Sequence, residues 1–148
     1  MSKDRRDGDE LEALWLSLRY PDRLAEHCPD GKWDWWIAVE DDKSITCECK
    51  RDRKAHGTGN FFLEMSLDGQ PSGWSVSQAD VWAVSKDDLA GNISMILELT
   101  AEAMRRCLFR APHQKLVSGG DELKARGRLV LWKHLELEDH WRWKRPAP

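Results

Sequence analysis

The chain has 148 residues, 41% of them hydrophobic and 33% charged, with a net charge of −3, a balance that suits one globular domain with a sizeable core. Such a charge excludes a protein that coats nucleic acid by bulk positive potential, although a local basic groove stays compatible with it. No apolar run approaches the roughly 20 residues of a membrane helix, and MSKDRRDGDE lacks the apolar stretch of an export signal, so the expectation is a cytoplasmic protein without a membrane partner.

Asp9 followed by Glu12 fits a capping box, and Leu11, Leu14, Trp15 and Leu18 recur at helical spacing, which predicts a helix from about residue 10 to Tyr20. Pro21 ends it, and PDRLAEHC adds a further helical turn or two before the turn signal CPDG. The period then changes to two. Trp33, Trp35, Ile37 and Val39 fall on one face of WDWWIAV, with Asp34, Trp36 and Ala38 on the other. After the EDDK turn, SITCEC repeats the alternation: Ile45, Cys47 and Cys49 against Ser44, Thr46, Glu48 and Lys50. These strands form a hairpin. NFFLEM reads as a third strand, DGQPSG as a loop, SQAD as a turn or short helix, and VWAV and ISMILEL as strands. Thr100 caps a helix, AEAMRRCLF, with Ala103, Met104, Cys107 and Leu108 as its apolar stripe. SGGDELKARG is a loop, RLVLW a late strand, HLELEDHW a closing helix, and RWKRPAP a loosely held end.

The hairpin's register follows from burial. If both apolar faces point to one core, odd residues pair with odd and the connecting loop has an odd length, such as three. Asp34 then lies opposite Glu48 or Lys50, and the three polar side chains converge on the face away from the main apolar side. Two carboxylates on adjacent strands repel unless a cation sits between them, and hard oxygen ligands suit Mg²⁺ or Mn²⁺. Asp34 and Glu48 are the candidate ligands. Such a pair suits enzymes that cut phosphodiesters, with Lys50 placed to position the attacking water or offset charge on the scissile phosphate. Arg51, Arg53 and Lys54 follow directly and offer phosphate contacts.

E-x-K alone is weak evidence, because on the order of one such tripeptide arises by chance in a chain of this length. Glu122 and Lys124, and the D-x-K of Asp52 and Lys54, make the point. From spacing alone, a solvated hairpin face explains Glu48 and Lys50 as well as a site does.

The wider pattern is more specific. A strand bearing Asp34 and a hairpin partner bearing Glu48-x-Lys50 are followed by Thr58-Gly59-Asn60, Glu64, Ser72-Gly73, and Ala79-Asp80-x-Trp82. This run resembles the small phage-type members of the PD-(D/E)XK (restriction-endonuclease-like) nuclease superfamily, over about residues 33 to 137. The resemblance implies an α/β fold with an αβββαβ core, a mixed central sheet flanked by helices, in a single domain covering 1–148. It implies a metal-dependent deoxyribonuclease, with Asp34 and Glu48 as ligands of Mg²⁺ or Mn²⁺, Lys50 as the catalytic lysine, and Glu12 as an auxiliary acid on the first helix. DNA is the implied partner, a homodimer is one way to cut both strands, and a phage-encoded protein would act in the host cytoplasm. Lys32 and Trp33 stand where the superfamily's name asks for proline. An alternative keeps the same fold as a silent module that binds nucleic acid or inhibits a host protein.

Competing readings attach to single residues. His56 touches phosphate or is a solvated loop histidine; Asn60 meets a nucleotide or shapes the turn with Thr58 and Gly59. Glu64 flanks the metal or is a salt-bridged strand residue. Glu40, Asp41 and Asp42 sit in the turn, too far round it for a metal pair with Glu48. HWRWKR interleaves aromatics and cations as single-strand binders do, or is a helix end with snorkelling basic residues. Cys28, Cys47, Cys49 and Cys107 are expected as free thiols, and a zinc site from His27, Cys28, Cys47 and Cys49 matches structural zinc spacing poorly.

Overall fold

The computed structural model describes residues 3–30, 32–111, 116–119 and 124–148, with side chains from residue 9 onward. Helix α1 (Lys3–Arg19) leads into strand β1 (Ala25–His27), the hairpin β2 (Trp35–Glu40) and β3 (Lys43–Asp52), and a one-turn helix α2 (Ala55–Thr58). Strands β4 (Asn60–Leu67) and β5 (Gln70–Pro71), a 3₁₀ turn (Gly73–Ser75), β6 (Val81–Asp87) and β7 (Ile93–Thr100) follow. Helix α3 (Ala101–Phe109), β8 (Val117–Gly119), β9 (Ala125–Leu131), α4 (Trp132–Glu138) and β10 (Trp141–Lys144) complete the order. The chain is therefore mixed α/β, with four helices among the described residues. None of the described helices is long and apolar enough to cross a membrane.

The principal sheet has six strands in the order β1-β2-β3-β6-β7-β10. It is mixed: β3 and β6 run parallel, and every other neighbouring pair is antiparallel. A second sheet, β5-β4-β9-β8, carries the strand expected from NFFLEM, so that strand leaves the hairpin's sheet instead of extending it.

Both faces of the six-stranded sheet are buried. On one, α1 lays Leu11 and Trp15 over Ile37, Cys47, Val81, Ala83 and Ile96. On the other, Trp82, Val84, Leu97 and Leu99 pack with α3, α4, and Phe61, Leu63 and Val130 of the second sheet. The α3 stripe of Ala103, Met104, Cys107 and Leu108 is buried as expected, and the Thr100 hydroxyl accepts the Ala103 N–H at 3.0 Å. All four cysteines are free and buried.

Several expectations needed correction. Helix α1 starts six residues earlier than the proposed capping box, so Asp9 lies inside it. The segment after Pro21 is an edge strand instead of helical turns, because the open edge of β2 offers ladder partners to Ala25 and His27. In the hairpin, odd residues do pair with odd, Trp35 with Cys47 and Ile37 with Ile45, yet the turn between Glu40 and Lys43 has only two residues. A bulge at Val39 absorbs the mismatch. The expected loop at 118–127 holds parts of β8 and β9, with 120–123 outside the described residues. The basic end is docked: Trp141–Lys144 pairs with β7, and Trp141 and Trp143 pack against the α1-side core.

Candidate metal centre

Strand β3 outruns its hairpin partner. Its ladder with β2 ends at the pair Trp35 and Cys47, whereas its ladder with β6 continues through Glu48 to Asp52. The fork so formed is where the site lies. Asp34, one residue ahead of β2, donates its N–H to the Cys47 carbonyl at 2.9 Å, and its Oδ2 accepts the Cys49 N–H at 2.8 Å. The carboxylate takes the place of the next strand residue. Asp34 is thus pinned at the sheet edge, half-buried, beside the Glu48 backbone.

Two further side chains meet it there. Glu12 comes from α1, one residue past the fully buried Leu11. His27 ends β1 directly opposite Trp35, and the two rings meet edge-on with centroids 5.3 Å apart. Ligand atoms of Glu12, His27 and Asp34 all lie within 4.8 Å of one another.

Glu48 faces the other way from Cys47 and Cys49, on the pleat it shares with Trp82, and Lys50 follows beside Val84. That face was expected to be the solvated one; it is the second core, and Glu48 is only 8% exposed. Its Oε2 is buried without a hydrogen-bond partner. Burial first, then the charges of Asp34 and Glu12, push its pKa up to about 8, against the opposing pull of Lys50. Asp34 is also raised, by burial, with the Cys49 N–H, Lys50 and His27 opposing. Glu12 is raised by burial and then by Asp34. The Trp35 indole N–H faces Glu12 without closing a hydrogen bond of normal geometry.

Three acids thus share a partly dry corner with too little positive charge, the circumstance in which a divalent cation is stabilised. The donor set that could hold one is the Glu12 and Asp34 carboxylates and the His27 imidazole, with Glu48 linked to it through the charges of Asp34 and Glu12. The corner is reachable from both sides of edge strand β1. Glu12, Leu16, Tyr20 and Trp35 help line an open groove of about 640 Å³, and His27, Trp33 and Trp36 help line another of about 320 Å³.

The remaining expected contacts divide. Arg51, expected at phosphate, turns inward: its side chain is 3% exposed, with Nε and Nη2 bonded to Asp87 at 2.8 and 2.9 Å and Nη1 to Glu10. Odd-numbered, it lies on the α1 face, where its neighbours are acids. Arg53 approaches Asp87 at 3.6 Å and stays 40% exposed. Lys54 and His56 are exposed, and Asn60 opens β4 opposite Leu131.

Most residues that carried the sequence resemblance are structural. Gly59 ends α2 at φ 71°, and the Thr58 hydroxyl accepts the Asn60 N–H at 3.1 Å. Glu64 accepts the Ser72 hydroxyl at 2.9 Å, while Gly73, at φ 54°, leaves no space for a Cβ, which would stand 2.4 Å from the Glu64 carbonyl oxygen. Asp80 accepts both the Thr46 N–H and its hydroxyl. Trp82 is buried against Trp74. Asp52 caps the turn into α2 and holds Phe62 N–H at 2.8 Å.

His27 was weighed only as a zinc ligand with three cysteines; Cys28, Cys47 and Cys49 stay outside the cluster, the last two with thiol pKa values raised by burial. The signal that would have found it is the pairing of β1, which a three-residue strand barely announces. Compared with known proteins, the chain matches no family model and no curated protein.

Proposed function

We propose that this chain is a metal-dependent deoxyribonuclease of PD-(D/E)XK type. One observation carries the reading: the buried Glu48 carboxylate, with its Oε2 unpartnered and with Asp34 and Glu12 acting on it, and Lys50 one pleat further along the same strand face. Element order supports it. Helix α1, strands β1, β2 and β3, a crossover containing α2, and β6 parallel to β3 follow the αβββαβ sequence, with β4 and β5 inserted in the crossover. An acid one residue ahead of β2 and E-x-K on β3 are what the reading calls for.

Asp34, Glu48 and Glu12 would hold Mg²⁺ or Mn²⁺, which when bound supplies a water activated for attack and offsets charge on the phosphate. The chain does the rest. The Cys49 N–H fixes the Asp34 carboxylate, burial keeps Glu48 Oε2 free of competing water, and Lys50 would offer its ammonium to the attacked phosphate or the incoming water. The silent-module alternative draws on the inward turn of Arg51, which thins the basic surface expected after Lys50.

The deciding experiment incubates purified protein with Mn²⁺ or Mg²⁺ and labelled linear, circular, single-stranded and branched DNA. The parent should cut at least one substrate, and Glu48→Gln and Lys50→Ala should each lose on the order of 100-fold or more in rate. Variants as active as the parent would refute the site, and a parent that binds DNA without cutting any substrate supports the silent module.

A further inference from the structure

The oxygen ligands at the fork are joined by a nitrogen that neither the hairpin nor the E-x-K run supplies. His27 reaches the cluster from the edge strand, its ring steered by the perpendicular Trp35, and its ligand nitrogen lies within 4.8 Å of carboxylate oxygens of both Glu12 and Asp34. Ligands bound at roughly 2.0–2.2 Å stand about 3 Å apart when adjacent on an ion and about 4.3 Å apart when opposite. Atoms no further apart than 4.8 Å can be drawn onto a single cation by side-chain adjustment without moving the strands.

A second, independent feature points to the same place. Glu48, 8% exposed and within electrostatic reach of Asp34 and Glu12, keeps one carboxylate oxygen without any partner. Other buried acids of this sheet are already answered by cations: Asp87 by Arg51 and Glu98 by Arg19. Among the described residues, the fork combines an acid oxygen left without a partner with an imidazole close to its neighbouring acids.

We infer that the fork is a mixed nitrogen–oxygen cation site, with His27 as a direct ligand, that selects a first-row transition divalent ion over Mg²⁺. Mg²⁺ favours all-oxygen octahedra and keeps its waters, whereas imidazole suits the first-row ions that follow Mn²⁺ in the Irving–Williams series, with Mn²⁺ the weakest binder of that series and so the most stringent probe of a nitrogen ligand. The inference rests on the reading of the fork as a cation site and needs no bond to be cut.

The test is metal binding by the full chain in the absence of DNA. Mn²⁺ is titrated by calorimetry and by loss of its free-ion electron paramagnetic resonance signal, alone and against Mg²⁺. Parent protein should bind one Mn²⁺ at least tenfold more tightly than Mg²⁺. His27→Ala should weaken Mn²⁺ by roughly tenfold or more, the least expected of a direct ligand, and change Mg²⁺ affinity by less than about twofold. Glu12→Gln should weaken both. Equal affinity for the two ions, no binding of either, or a His27→Ala variant with parental Mn²⁺ affinity overturns the inference. The two readings fail separately: Mn²⁺ bound through His27 by a protein that cuts no DNA leaves the site standing and removes the nuclease, while Mn²⁺-dependent cutting with unchanged affinity in His27→Ala does the reverse.

Discussion

Two kinds of buried acid occupy the same sheet. Glu98 on β7 is 1% exposed and takes the Trp15 indole N–H at 3.1 Å, Arg19 at 3.4 Å, and a contact from His140. Burial first, then the Glu98 charge, hold the Tyr20 phenol up at about 12, with Arg19 opposing. Asp87 on β6, also 1% exposed, takes a two-pronged bond from Arg51. Glu48 is nearly as buried and has acids for company, with Lys50 as its opposing charge. The fold compensates acids that tie elements together, and leaves under-compensated the ones gathered at the fork. Such an arrangement costs stability in the free protein, a cost that the proposed cation would relieve.

The largest expected effect breaks the compensated kind. Arg51→Ala strands Asp87 in the core with only the more distant Arg53, and uncompensated burial of one partner costs about 3–5 kcal/mol. Urea denaturation should show a loss of that size, while DNA affinity per folded molecule stays at the parental level. A loss below about 1 kcal/mol accompanied by weaker DNA binding would return Arg51 to the role first expected of it, a surface phosphate contact.

The next effect has the opposite sign, because the other kind of acid opposes folding. Below the ordinary value of 4.5, Glu48 is protonated both folded and unfolded and contributes nothing to the pH dependence. As pH rises from 4.5 toward about 8, the unfolded chain releases this proton and the folded chain retains it, so stability falls, and above about 8 the loss is complete. Glu48→Gln removes that penalty. Without metal, the variant should match the parent near pH 5 and exceed it by up to a few kcal/mol near pH 8.5. Saturating divalent ion should stabilise the parent at pH 8, about 2.7 kcal/mol at a hundred times the dissociation constant, and the variant much less. A stability difference that does not change between pH 5 and 8.5 would mean that Glu48 sits in an ordinary solvated setting.

The sequence made the compensated regions easy to read and the fork only half so. Period two across Trp35–Val39 and Ile45–Cys49 fixed which residues face α1, and the stripe on α3 needed no tertiary information. Asp34, Glu48 and Lys50 could be put on neighbouring strands from pleat arithmetic alone. That arithmetic could not show that β2 begins one residue too late for Asp34 to join the ladder, so that its carboxylate turns to the Cys49 N–H. Nor could it show that a second sheet, made by strands distant in sequence, buries the face carrying Glu48. His27 depended on a three-residue edge strand whose only ladder partner among the described residues is β2, and local propensity carries little trace of such an element. The inward turn of Arg51 has the same root: a run of cations looks like one surface, but alternation sends neighbours to opposite faces.

The smallest effect tests that last point. Lys54 is exposed, and the Asp52 cap engages its backbone N–H and not its side chain. Lys54→Ala should therefore leave stability within about 0.5 kcal/mol of the parent. If this end of β3 faces the DNA backbone, the variant should lose one counterion's worth of salt dependence, a change of about 0.9 in the slope of log affinity against log salt. The measurement is made in EDTA so that no strand is cut. Arg51→Ala, corrected for its folded fraction, should keep the parental slope, because an arginine held by Asp87 and Glu10 releases no counterion from DNA. Equal slope changes in the two variants would show that the inward turn of Arg51 gives way when DNA binds, and would erase the distinction between the two kinds of charge on this sheet.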